Sequence, residues 1–204
     1  ITDPSGMQIT FTLNRDIEEL FSKLLPGVSF RSIDKKGIIK EVVMPETRDD
    51  AYGASYDLLK KIVDNSSVVE VFESRYKHDP KNDWGSRLGD IDLINWYSNT
   101  SACLDYGDPY SNNGVGTDLQ YVRINFEDEK LLDIPMEIIL AHELIHASHN
   151  MDGTADETED EYSVARNEEM RTIGDGNVRK GDITENMVRR QFGYSSSSVE
   201  RNYE

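Results

Sequence analysis

His142-Glu143-Leu144-Ile145-His146 is an HExxH motif set in a stretch of helical character. Residues four apart share a helix face, so both imidazoles can address one metal ion. Glu143, beside the first of them, can take a proton from a water that the metal polarises. Together these are the minimal equipment of a zinc peptidase. The competing reading is a buried helix whose two histidines are satisfied by carbonyls. Three of the four histidines, His142, His146 and His149, fall in this one segment, which favours the metal.

A catalytic zinc takes three protein ligands and keeps one position for water, so a third ligand is expected downstream. Asp152 occupies the position used by one protease class, but that arrangement wants glycine where His149 stands. Gly153-Thr154-Ala155-Asp156-Glu157 has a GTxxD-like spacing with Glu157 in place of Asp. The better candidates are Glu168 and Glu169, adjacent on an expected helix from Ser163 to Arg171. Only one of two neighbouring carboxylates can face the metal, while the other can orient a ligand histidine. The alternative for such a pair is a solvated helix face.

These residues need elements to hold them. Leu131 to Ala141 reads as the approach to the motif helix, with Asp133 or a near neighbour as its cap and Pro135 in its first turn. The helix should run to about Asn150 and stop at Gly153. Helices are also expected over Asn14 to Leu25, Asp50 to Asp64 and Asp182 to Gln191, the last opening on a capping-box spacing, Asp182 to Glu185. Gly37 to Met44, Ser67 to Glu73 and Leu119 to Phe126 read as strands. Leu119 to Phe126 precedes the motif helix and is either a sheet edge that an extended substrate could pair with or an interior strand. Tyr76 to Gly116 is polar and irregular and could shape a cleft. The order implies one α+β domain over residues 1–204, with a small mixed sheet beside the motif helix and further helices behind it.

Composition narrows the partners. With 22 basic and 39 acidic residues the net charge is -17, which disfavours nucleic acid and anionic membranes. No run is long and apolar enough to insert in a bilayer, and no signal-peptide pattern opens the chain. Cys103 is the only cysteine, so no internal disulfide forms and no cysteine cluster competes for the metal.

The ordered motifs support a resemblance. His142-Glu143-Leu144-Ile145-His146-Ala147, followed by Glu168-Glu169-Met170-Arg171-Thr172-Ile173-Gly174, resembles clostridial neurotoxin light chains. More widely, with Ile183-Thr184-Glu185-Asn186 and a closing Arg and Tyr, the chain from about Gly114 to Tyr203 is similar to NleD-type bacterial effector metallopeptidases. The resemblance implies a zincin-like fold, with His142, His146 and Glu169 as zinc ligands, Glu143 as base and Glu168 as support behind them. It also implies Arg201 and Tyr203 as partners of the oxyanion, at a spacing unlike that of the neurotoxins. The implied activity is that of a toxin or virulence effector, a metalloprotease secreted by a dedicated system, delivered to the target-cell cytoplasm and cutting a protein there. Asp3-Pro4-Ser5-Gly6-Met7 resembles the junction that ends the shell of Rhs-type polymorphic toxins, so residues 1–7 read as a remnant of such a shell, with a cognate immunity protein as a further partner. The runner-up is a binding module with a structural zinc, its shell closed by His149 or Asp152.

Overall fold

The structure is a computed structural model that describes residues 8–12, 14–33, 35–36, 39–65, 67–73, 102–105, 116, 119–126, 129–130, 133–155, 164–176 and 178–196. Among these residues six strands form one mixed sheet: β1 (Gln8–Thr12), β2 (Ser29–Ser32), β3 (Ile39–Val43), β4 (Val68–Glu73), β5 (Ala102–Asp105) and β6 (Leu119–Ile124). Their spatial order is β2-β3-β1-β4-β6-β5. β1, β4 and β6 run parallel, while β3 and β5 are antiparallel to their neighbours. Five α-helices accompany them among the described residues: α1 (Arg15–Leu24), α2 (Gly53–Val63), α3 (Met136–Met151), α4 (Val164–Ile173) and α5 (Glu185–Gln191). The fold is therefore α+β, and α3 is the motif helix.

Alternation along β6 turns Gln120, Val122 and Ile124 inward, as expected for a strand with one covered face. They meet α3, which packs on β6 and β5 and is flanked by α1 and α2. Ile17, Leu20, Phe21 and Leu24 give α1 its apolar stripe. Asn14 caps that helix by accepting from the Asp16 amide, and its own amide donates to Glu73 at the end of β4. α3 is buried around most of its circumference, from Met136 to Met151, as a helix must be when it is sandwiched between a sheet and other helices.

Of the two readings of Leu119 to Phe126 the interior one holds: β4 and β5 flank β6, and β5 is the strand at that end of the sheet among the described residues. Two expectations need correction. Asp133 does not cap α3. It takes a left-handed φ of 53°, and Pro135 holds the cap position, its carbonyl accepting from Ile138. The Asp182–Glu185 spacing is not a capping box, because α5 starts at Glu185 behind Thr184 and neither carboxylate serves the helix end. Stronger partners claim both, a guanidinium and an imidazole.

The end of α3 is fixed twice. Gly153, at φ 60°, stops the helix as expected, with its amide and that of Thr154 returning to Asn150 and His149. Gly116, ahead of β6 in the chain, passes this end so closely that a Cβ there would collide with the Met151 carbonyl.

Candidate metal centre

His142 and His146 leave α3 one turn apart, and their Nε2 atoms lie 3.0 Å from each other. Glu169 comes from α4, with Oε2 3.1 Å from His142 Nε2 and Oε1 3.0 Å from His146 Nε2. Two nitrogens and a carboxylate thus converge on one point, and these three side chains form a group that could hold a metal ion. No fourth ligating side chain joins them among the described residues. The histidine side chains are only 12% and 13% exposed. Glu143, 8% exposed, follows His142 on the same turn.

Each ring is held from behind. His142 Nδ1 donates to Glu185 Oε2 at 2.7 Å, and Arg189 Nε holds the other oxygen of that carboxylate at 2.5 Å. Such a bond fixes the tautomer that leaves Nε2 free for a metal. Behind His146 the arrangement is looser. Its Nδ1 lies 3.4 Å from Thr172 Oγ1 and 3.5 Å from Glu168 Oε1. Glu168 makes its shortest contact with His149 Nδ1, at 2.5 Å.

Electrostatics agree with a site built for positive charge. Burial alone would push the two imidazoles down, but Glu169 and the other carboxylates win, raising His142 to about 9 and His146 well above its usual value. Burial would raise Glu185, yet the His142 hydrogen bond and Arg189 hold it at about 2. Glu169 sits well below the usual carboxylate range, its own desolvation overcome by both histidines. Without a cation the centre attracts protons; a metal would take their place. His149 behaves differently: burial lowers it, so the neutral ring donates Nδ1–H to Glu168.

Beneath this layer lies a buried ionic knot. Arg171, 1% exposed, binds Asp182 through Nε at 2.7 Å and Nη2 at 2.9 Å, and also donates to the Thr154 carbonyl. Arg179 adds its own bonds to Asp182 and Thr154. The knot ties the chain leaving α3 to α4 and to the turn before α5, and so sets where Glu169 and Glu185 stand.

Of the residues singled out from the sequence, His142, Glu143, His146, Glu168 and Glu169 come together. Asp152 does not join them, since it is bound by Asn65 and Lys61 at the far end of α3. His149 is turned to Glu168 and closes no shell. Glu157, Arg201 and Tyr203 lie outside the described residues, as do residues 1–7 and most of the polar middle region. Sequence reasoning missed the role of Glu185, whose signal was hidden in what looked like a helix cap.

Comparison with known proteins adds no relative: no protein-family model matches the chain, and neither a curated protein nor a solved structure does.

Proposed function

We propose that this chain is a zinc-dependent endopeptidase with a zincin-like fold. One observation carries the reading. A tetrahedral zinc with bonds of about 2.0–2.1 Å would hold its ligand atoms about 3.3 Å apart. The Nε2 atoms of His142 and His146 lie 3.0 Å apart, close to that spacing, and Glu169 brings Oε2 to 3.1 Å of the first and Oε1 to 3.0 Å of the second, so either carboxylate oxygen stands beside the same point. Two imidazoles and one carboxylate are also the donor set of catalytic rather than structural zinc, and no fourth described side chain fills the remaining corner. The structural-zinc alternative loses its closing ligands, because His149 and Asp152 are engaged elsewhere.

When bound, zinc would polarise the scissile carbonyl and the attacking water. In this reading Glu143 takes the proton of that water and returns it to the leaving amine. Glu185 and Glu168 keep the ligand rings turned toward the ion. The outer edge of β5, on the strand that packs beside α3, pairs with an extended stretch of substrate. Arg201 and Tyr203 serve the oxyanion. The substrate is a protein of a target cell, reached as a secreted effector or toxin, a proposal that rests on the likeness to NleD-type enzymes and neurotoxin light chains. An upstream Rhs-type shell and an immunity protein belong to the same proposal.

The test compares wild-type protein with Glu143→Ala in a target-cell lysate, reading new peptide termini by mass spectrometry beside the metal content of each protein. New termini with the wild type alone, and about one zinc in both, are expected. Equal termini from both proteins, or no zinc in either, would overturn the assignment.

A further inference from the structure

The two ligand rings are backed unequally. His142 has a carboxylate of its own at 2.7 Å, with an arginine fixing that carboxylate. His146 has no such partner. The acid nearest its Nδ1 is Glu168, 3.5 Å away, and that oxygen is already bound at 2.5 Å by His149. Between them stands the hydroxyl of Thr172, a residue with no exposed surface. Its Oγ1 lies 3.4 Å from His146 Nδ1 and 3.3 Å from Glu168 Oε1. A hydroxyl can accept one hydrogen bond and donate another. His146 Nδ1–H can therefore be received by Thr172, whose own proton goes to Glu168.

Spacing supports the same reading. Glu168 and Thr172 are four apart on α4, and His146 and His149 three apart on α3, so one face of each helix supplies the array. Glu168 could not swing toward His146 without abandoning its short bond to a buried, neutral histidine. The carboxylate is thus parked, and the hydroxyl spans the gap.

From this arrangement we infer that His149 and Thr172 are positioning residues for the ligand His146, both acting through one oxygen of Glu168. His149 fixes the carboxylate, and Thr172 passes its hydrogen-bonding demand to the ring. The pair sets which tautomer His146 presents and how strongly its Nε2 donates. The inference rests on the metal reading of the site and extends it to two side chains that touch neither metal nor substrate.

The test uses the whole chain loaded with Co(II), whose visible d–d absorption reports the ligand field, together with metal affinity from chelator competition. Thr172→Val keeps shape and removes the hydroxyl; Thr172→Ser restores it. His149→Leu removes the donor to Glu168; His149→Asn offers an amide N–H close to where Nδ1 stood. Thr172→Val and His149→Leu should each weaken binding by about tenfold or more and shift the cobalt spectrum. The Ser and Asn variants should stay close to wild type. Thermal unfolding of the metal-free proteins identifies any variant that merely fails to fold, and Thr172→Val, nearly isosteric, then decides the matter. An unchanged spectrum and affinity in folded Thr172→Val would overturn the inference while leaving the metal site intact. If wild-type protein binds no cobalt and His142→Ala behaves the same, the site reading falls and the inference with it.

Discussion

The two halves of this molecule treat charge in opposite ways. Around α1 and α2, ion pairs lie at the surface: Lys23 with Glu19, 58% and 65% exposed, and Lys60 with Asp64, 49% and 60% exposed. Around α3, α4 and α5 they are buried: Arg171 with Asp182, 2% and 8% exposed, and Arg189 with Glu185, 11% and 1%. A surface pair costs little to form and contributes little. A buried pair must offset the desolvation of two ions, which hydrophobic contacts would avoid. Retaining such pairs beside His142, Glu168 and Glu169 makes sense if the polar groups are needed for the site rather than for stability. Both halves supply the apolar core, Ile9, Phe21, Leu59 and Val71 from the first and Val122, Leu140, Leu144 and Val188 from the second; the C-terminal half devotes part of its interior to orientation as well.

Breaking one partner of the deepest pair should produce the largest effect. Arg171→Met takes the guanidinium from a buried carboxylate and leaves Asp182 the Arg179 amide, and chemical denaturation should register a loss of about 3–5 kcal/mol. If that variant were as stable as wild type, the contrast between the halves would have no energetic content. Metal comes next. Zinc at about one hundred times its dissociation constant should add roughly 2.7 kcal/mol, seen as a rise in melting temperature that a chelator reverses and that Glu169→Ala lacks. An equal rise in Glu169→Ala would place the ion elsewhere.

Acid sharpens the comparison further. Burial would raise Asp182, but Arg171 and the Arg179 amide hold it below the usual carboxylate value. A depressed folded-state value means that its stabilisation is complete above the unfolded value of about 3.9 and fades as pH falls through the folded one. The stability gap between wild type and Asp182→Asn should accordingly be wide at pH 6 and close below about pH 4, in paired thermal melts. A gap that persisted undiminished at low pH would assign the effect to packing. Least of all should come from Lys23→Ala, whose partner is exposed. Its melting temperature should stay with wild type, and a clear drop would show that surface pairs matter here after all.

How far the sequence could be read follows from the range of each signal. The motif helix, α1, β4 and β6 carry local periodicity, and all appear close to where that periodicity puts them. β1, β2 and β5 went unrecognised, being four or five residues long, with β5 set in a polar stretch. Without β5, nothing in Leu119 to Ile124 could tell an edge strand from an interior one. Within the candidate centre, His142 and His146 declare themselves by spacing along one helix. On its residues alone Glu169 was one of several downstream acids, and the resemblance singled it out. Glu185 was legible as the fourth residue of Asp-x-x-Glu, a pattern that helix starts also produce, and as part of Ile183-Thr184-Glu185-Asn186, which gave it no role. Its approach to His142 depends on a turn folded around Arg171 and Asp182, a long-range fact that no window of neighbouring residues contains.

The contact at Gly116 carries one more consequence. Where main chain rests directly on main chain there are no rotamers to yield, so the spacing between the sheet and the end of the helix bearing both imidazoles is gauged rigidly at this point. A bulkier residue at 116 could not be absorbed by local repacking. It would lever α3 relative to β6, and the disturbance would travel back along the stiff helix from Met151 to His146 and His142, and so to the ring nitrogens themselves.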